Sequence, residues 1–145
     1  MKRVIGIALS ILLLLFGGCT LWEQVSMENT EYLTVTVVND VRDADIWILP
    51  ATAANLNTTV WGTATAAKVS IGESRLAKAA ISEETALYMF RMIDADDFYY
   101  AADSLVLEEG WTVRIFGEDL NAIAIEVTDE NGVLRNTYEV FAARL

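Results

Sequence analysis

From Tyr32 onward, apolar residues recur at every second position, and a period of two restricts the chain to strands that bury one face. In the run from Tyr32 to Asn39, Leu33, Val35 and Val37 point to one side while Thr34 and Thr36 point to the other. The β-branched content of that run favours the extended form. The run from Trp111 to Phe116 repeats the pattern, with Trp111, Val113 and Ile115 on one face. Between Asp45 and Ala51, Ile46, Trp47, Ile48 and Leu49 are consecutive, which predicts a strand buried on both sides. Pro50, the only proline, marks the end of that strand or an edge.

Further along, Leu87 to Ile93 and Phe98 to Ala102 flank the acidic turn Asp94 to Asp97 and read as a hairpin with a four-residue loop. Ser104 to Leu107 follows as a short segment before the turn Glu108-Glu109-Gly110. Ala122 to Thr128 and Val133 to Phe141 are joined through Asn131-Gly132, a pair suited to a two-residue type I′ turn. That turn would place Ile125 opposite Tyr138 and Ile123 opposite Val140 on the core face, with Glu126 and Thr137 outside. Residues 52–85 are less regular. Ala, Thr and Asn dominate as far as Ala67, around Trp61-Gly62, which predicts an irregular crossing or weak strands. Leu76, Ala77 and Lys78 favour a short helix over Ser74 to Ala80. About seven strands with almost no amphipathic helix predict an all-β chain over residues 32–145, folded as an antiparallel β-sandwich.

The N-terminus obeys different rules. Lys2 and Arg3 precede an uncharged apolar run from Val4 to Phe16, closed by Gly17, Gly18 and Cys19. As a helix the run would rise only about 20 Å, short of the roughly 30 Å of bilayer hydrocarbon, so a removed signal-peptide helix fits better than a spanning one. Phe16-Gly17-Gly18-Cys19 resembles the lipobox of bacterial lipoproteins, although Leu is usual where Phe16 stands. The resemblance implies a signal peptide over 1–18, cleavage between Gly18 and Cys19, a diacylglyceryl thioether on Cys19 and often a further acyl chain, palmitate-like, on the new amino terminus. Residues 19–31 then form a polar, lipidated tether. A second likeness covers roughly residues 32–117: a Val-rich strand ending in Asn, an Ile-Trp-Ile strand, Trp61-Gly62 and the strand before Asp94. This order is similar to small β-sandwich domains of uncharacterised bacterial lipoproteins, and implies a sandwich of immunoglobulin-like or transthyretin-like type without implying an activity.

Cleavage before Cys19 would leave 127 residues, one ordinary domain, with 8 basic and 21 acidic residues and a formal charge of −13. Such a surface repels phosphate backbones and anionic headgroups, so nucleic acid is disfavoured as a partner and lipid is expected to hold the protein to its membrane. With no histidine, neither Ser-His-Asp nor Cys-His catalysis can be assembled, and the single cysteine is committed to lipid. Neither a Ser-x-x-Lys spacing nor a glycine-rich phosphate loop occurs.

Two features remain as candidate sites. Asp94, Asp96 and Asp97 are close enough in sequence to converge on a hard cation, but lack the glycine and distal Glu of an EF-hand loop, so a solvated hairpin tip is the simpler reading. Asp40, Asp43 and Asp45 form a similar group. Trp61, on a polar loop, is the candidate for a ligand-stacking residue or for a plug over one end of the sandwich, whereas Trp47 and Trp111 read as core. The expectation is a non-enzymatic envelope lipoprotein without cofactor, whose domain binds an envelope protein or supports an assembly. The alternative is a solute-binding module for glycan or cation. Thr20, in place of the Asp that retains enteric lipoproteins in the inner membrane, points to the outer membrane.

Overall fold

The computed structural model describes residues 30–145. The expected signal segment 1–18, its Gly18–Cys19 cleavage site and most of the tether lie outside the described residues.

Among the described residues, ten strands and one helical turn follow in order: β1 (Tyr32–Asp40), β2 (Ala44–Pro50), α1 (Ala53–Leu56), β3 (Ala66–Val69), β4 (Glu73–Ala80), β5 (Leu87–Asp94), β6 (Phe98–Val106), β7 (Thr112–Phe116), β8 (Ala124–Thr128), β9 (Leu134–Glu139) and β10 (Phe141–Arg144). They form two five-stranded sheets, ordered β4-β1-β7-β8-β9 and β10-β6-β5-β2-β3. The described residues therefore form a β-sandwich, with ten strands in place of about seven and one parallel pair among them, β1 with β7, beside antiparallel neighbours. Val35 and Val37 from β1, Ile46 and Ile48 from β2, Phe90 and Met92 from β5, Tyr100 from β6 and Val113, Ile115, Ile125 and Val127 from β7 and β8 fill the space between the sheets.

The alternation read in β1 and β7 is the alternation found, with Thr36 and Arg114 outward. In β2 the consecutive apolar run conceals an ordinary one-sided strand. Ala44, Ile46 and Ile48 face the core, while Asp45, Trp47 and Leu49 face outward, and Pro50 ends the strand. Segment 74–80 is a strand, not a helix. β4 pairs with β1 over eight residues, setting Ala77 opposite Val35 and Ala79 opposite Leu33. A helix preference of a few tenths of a kcal/mol per residue yields to that ladder and to burial of both alanines. β6 runs on through Ser104, whose φ of 62° marks the bulge that shifts the β5–β6 register between Tyr88 and Phe90.

The last hairpin keeps the expected register by an unexpected route. Ile125 pairs with Tyr138 and Glu126 with Thr137, and the Val140 N–H donates to the Ile123 carbonyl at 3.2 Å. The turn, however, spans Asp129 to Gly132: the Gly132 N–H donates to the Asp129 carbonyl at 3.0 Å, and positive φ occurs at Gly132 (78°), not Asn131. This is a type I turn followed by a left-handed glycine. It displaces the pairing by one residue, and a second irregularity, opposite the Val127–Thr128 step, absorbs Arg135 and restores it.

The chain also joins the lateral edges of the two sheets. β3 passes into β4 through a turn at Gly72, whose N–H donates to the Asn39 carbonyl at 2.6 Å, and β9 passes into β10 through Val140. Asn39 is fully buried and its amide donates to the Arg42 and Val69 carbonyls, tying the β1–β2 corner to the β3–β4 corner.

Candidate functional site

The two acidic groups resolve into structural anchors. Asp94 is buried, against the expectation of a solvated tip. One of its carboxylate oxygens accepts the Asp96 and Phe98 N–H groups at 2.9 and 3.0 Å, and the other accepts the Tyr100 hydroxyl at 2.7 Å. Burial, reinforced by the neighbouring Asp94 carboxylate, pushes the Tyr100 phenol well above its ordinary range. Asp96 turns outward to Arg42 at 2.6 Å, and Asp97 takes the left-handed position of the turn with φ of 63°. In the other group, Asp43 accepts the Ile71 N–H at 2.8 Å and Asp45 the Lys68 N–H at 2.7 Å, while Asp40 pairs with Arg114 at 2.6 Å. Apart from Asp97, for which only backbone bonds are seen, these carboxylates accept from backbone N–H groups, the Tyr100 hydroxyl or arginines. Among the described residues no group of three or more His, Cys, Asp or Glu is placed to hold a metal ion.

The outward face of the second sheet is more unusual. By register it carries Asp45, Trp47 and Leu49 from β2, Met89, Arg91 and Ile93 from β5, Tyr99, Ala101 and Asp103 from β6, and Phe141 and Ala143 from β10. An outward face is normally wet, yet Met89 and Arg91 are buried, and Met89 lies apart from the core between the sheets. The segment between β2 and β3 lies over part of this face. It leaves at Pro50, makes α1 under a Thr52 cap, and returns where the Thr65 hydroxyl exchanges hydrogen bonds with the backbone of Ile48. On the way, the Trp61 ring comes 5.8 Å from that of Trp47 and 5.9 Å from that of Tyr99, nearly parallel to the latter at 16°. Trp47 and Tyr99 stand on the strands flanking β5, so Trp61 crosses above β5. The Trp47 indole N–H donates to the Gly62 carbonyl at 3.2 Å. Trp61 Nε1 is buried with no acceptor among the described residues.

Trp61 is thus a half-buried cover over one sheet face, not a plug over the end of the sandwich. Trp47 is its neighbour on the outside rather than a core residue, while Trp111 is in the core as expected.

Beside this aromatic group lies a groove of about 660 Å³ lined by Arg91, Tyr99, Ala101, Asp103, Glu139 and Phe141. The Arg91 side chain is only 7% exposed. One of its terminal nitrogens donates to the Phe90 and Ala102 carbonyls and to Asp103 Oδ1, at 2.8, 3.2 and 2.7 Å. Phe141 is 65% exposed at the opposite wall. Sequence reasoning singled out none of these six residues. Arg91 inside an apolar strand and an aromatic at the start of β10 were the available signals, but only the pairing of β10 with β6 brings them together.

Compared with family models, curated proteins and solved structures, the chain matches none. Its class is defined by the architecture: an acidic β-sandwich of ten strands with a covered outer face.

Proposed function

We propose that this protein is a lipid-anchored envelope component, non-catalytic, whose sandwich binds a protein partner at the β4 edge. The anchor rests on the sequence alone: the basic start, the apolar run and the small residues before Cys19. Cleavage at Gly18 and acylation of Cys19 would leave the sandwich tethered by residues 19–31, with Thr20 favouring the outer membrane.

The observation that carries the binding role is β4 itself. Sheet edges expose unpaired backbone groups, and proteins blunt them with short strands, bulges or charge. β3 and β10 are four residues each, and β9 carries the register shift at Arg135. β4 carries charge at Glu73, Arg75 and Lys78, but it is eight residues long, pairs with β1 without any shift, and presents Leu76 at 71% exposure. Next to it, a groove of about 620 Å³ runs between Tyr32, Leu76 and Ala80 of the first sheet and Ile48 and Leu49 of the second. An extended peptide added to β4 would gain main-chain hydrogen bonds and place alternate side chains in that groove. Lys78, on the same strand, favours a peptide carrying acidic residues.

The test is capture from detergent-solubilised envelope. Full-length protein should retain a stoichiometric protein that Leu76→Glu loses while keeping its melting temperature. Equal capture by both forms, or no protein partner at all, would overturn the reading.

A further inference from the structure

We propose that the groove between Tyr99 and Phe141 on the outer face of the second sheet is a binding site for a neutral saccharide. It is separate from the β4 edge, so either assignment can fail alone.

The aromatic walls follow from the register. Phe141 stands opposite Ala101 and Tyr99 opposite Ala143, so each ring faces a methyl group across the β6–β10 pair and the two rings are diagonal neighbours. Two alanines beneath two rings leave a trough where larger residues would have closed the surface. Tyr99 is held from behind by its stacking on Trp61, which itself leans on Trp47. The wall is therefore set before any ligand arrives, which reduces the ordering cost of binding.

The polar groups have matching chemistry. Asp103 is 53% exposed and gives one oxygen to Arg91, while Glu139 is exposed at the turn into β10. Both supply acceptors for hydroxyl donors. Arg91 is fixed through a single terminal nitrogen, so its buried guanidinium supplies a donor edge in a known orientation. Aromatic faces for C–H-rich surfaces, carboxylates for paired hydroxyls and a fixed guanidinium for ring or hydroxyl oxygens are the groups that a sugar ring satisfies together. Charge selects within that class. Two carboxylates against one guanidinium, on a domain rich in acid, disfavour uronic and phosphorylated sugars. A simple cation would satisfy the carboxylates but would lie beside Arg91 and leave both aromatic faces unused.

The experiment is titration calorimetry of the full-length protein in detergent with chitotriose, maltotriose and, as the cationic competitor, spermidine. Saturable binding of at least one trisaccharide is expected. Phe141→Ala, at an exposed position, should weaken it roughly tenfold. Glu139→Gln should weaken it less, and Leu76→Glu should leave it unchanged. No saturable binding of either trisaccharide, binding indifferent to Phe141→Ala, or saturable binding of spermidine alone would each overturn the proposal.

Discussion

At the scale of single residues, three buried polar side chains do the work of fixing corners. Asn39, Asp94 and Asp129 are each enclosed and each satisfied by two or more hydrogen bonds, so their burial specifies turn geometry without leaving an orphan group. Asp129 accepts the Val133 and Asn131 N–H groups at 3.0 and 2.9 Å and pairs with Arg135 at 2.6 Å. The Val133 N–H, aided by Arg135 and the Asn131 N–H, holds its carboxyl below the ordinary Asp range. A depressed carboxyl pKa adds stability that is present above the unfolded-state value, about 3.9, and is lost as pH falls through the folded-state value. Asp129→Asn should therefore melt several degrees lower than the parent at neutral pH, with the gap closing as the pH falls below the ordinary Asp range. Melting curves from neutral to acid pH check this, and a gap that persists unchanged in acid would contradict it. None of these roles was legible in the sequence. A carboxylate that accepts from its own turn and one that binds a cation share the same spacing, and only burial and partners separate them.

Elements show where local preference loses to tertiary pairing. β1, β7 and β8 were legible because their apolar residues alternate and are largely β-branched, and β5 because its nearly continuous apolar run ends at the acidic turn Asp94 to Asp97. β4 was not, because Ala and Lys are good helix formers and the case for a strand lies in residues forty positions away on β1. The hairpin register was legible from its hydrophobic pattern even though the turn type was not. A slip of one residue would have turned Ile125 and Val127 to solvent, so the chain accommodates Arg135 as a bulge instead. Gly117 shows the backbone's share of this specification. Its φ is 143°, and a Cβ there would lie 2.6 Å from the Ala122 carbonyl oxygen, so the β7–β8 connection admits no side chain. The covering segment between β2 and β3 was the least legible element, since its polar composition hides the fact that it buries a sheet face. Met89 tests the burial of that face. Met89→Ala should cost about 2–5 kcal/mol in chemical denaturation, as for any enclosed apolar side chain. A loss within about 0.5 kcal/mol, as expected of an exposed position, would show that the outer face is open.

For the whole molecule, the sandwich Tyr32–Leu145 is one compact unit stabilised by packing, and it needs neither disulfide nor histidine chemistry. Its edge strands follow one another in sequence as β3–β4 and β9–β10, and of these four β4 is the long regular one, while the outer face of the second sheet is the chemically distinctive one. The proposed attachment to the envelope depends on Cys19 and on nothing in the sandwich. Acyl chains contribute about 0.8 kcal/mol per buried methylene, so two or three chains hold where one would be marginal. Mass spectrometry of the N-terminal peptide from membrane-purified protein addresses this claim directly. The expected peptide begins at Cys19 and carries the mass of a diacylglyceryl group, whereas a peptide beginning upstream, or a Cys19 with a free thiol, would contradict lipid anchoring.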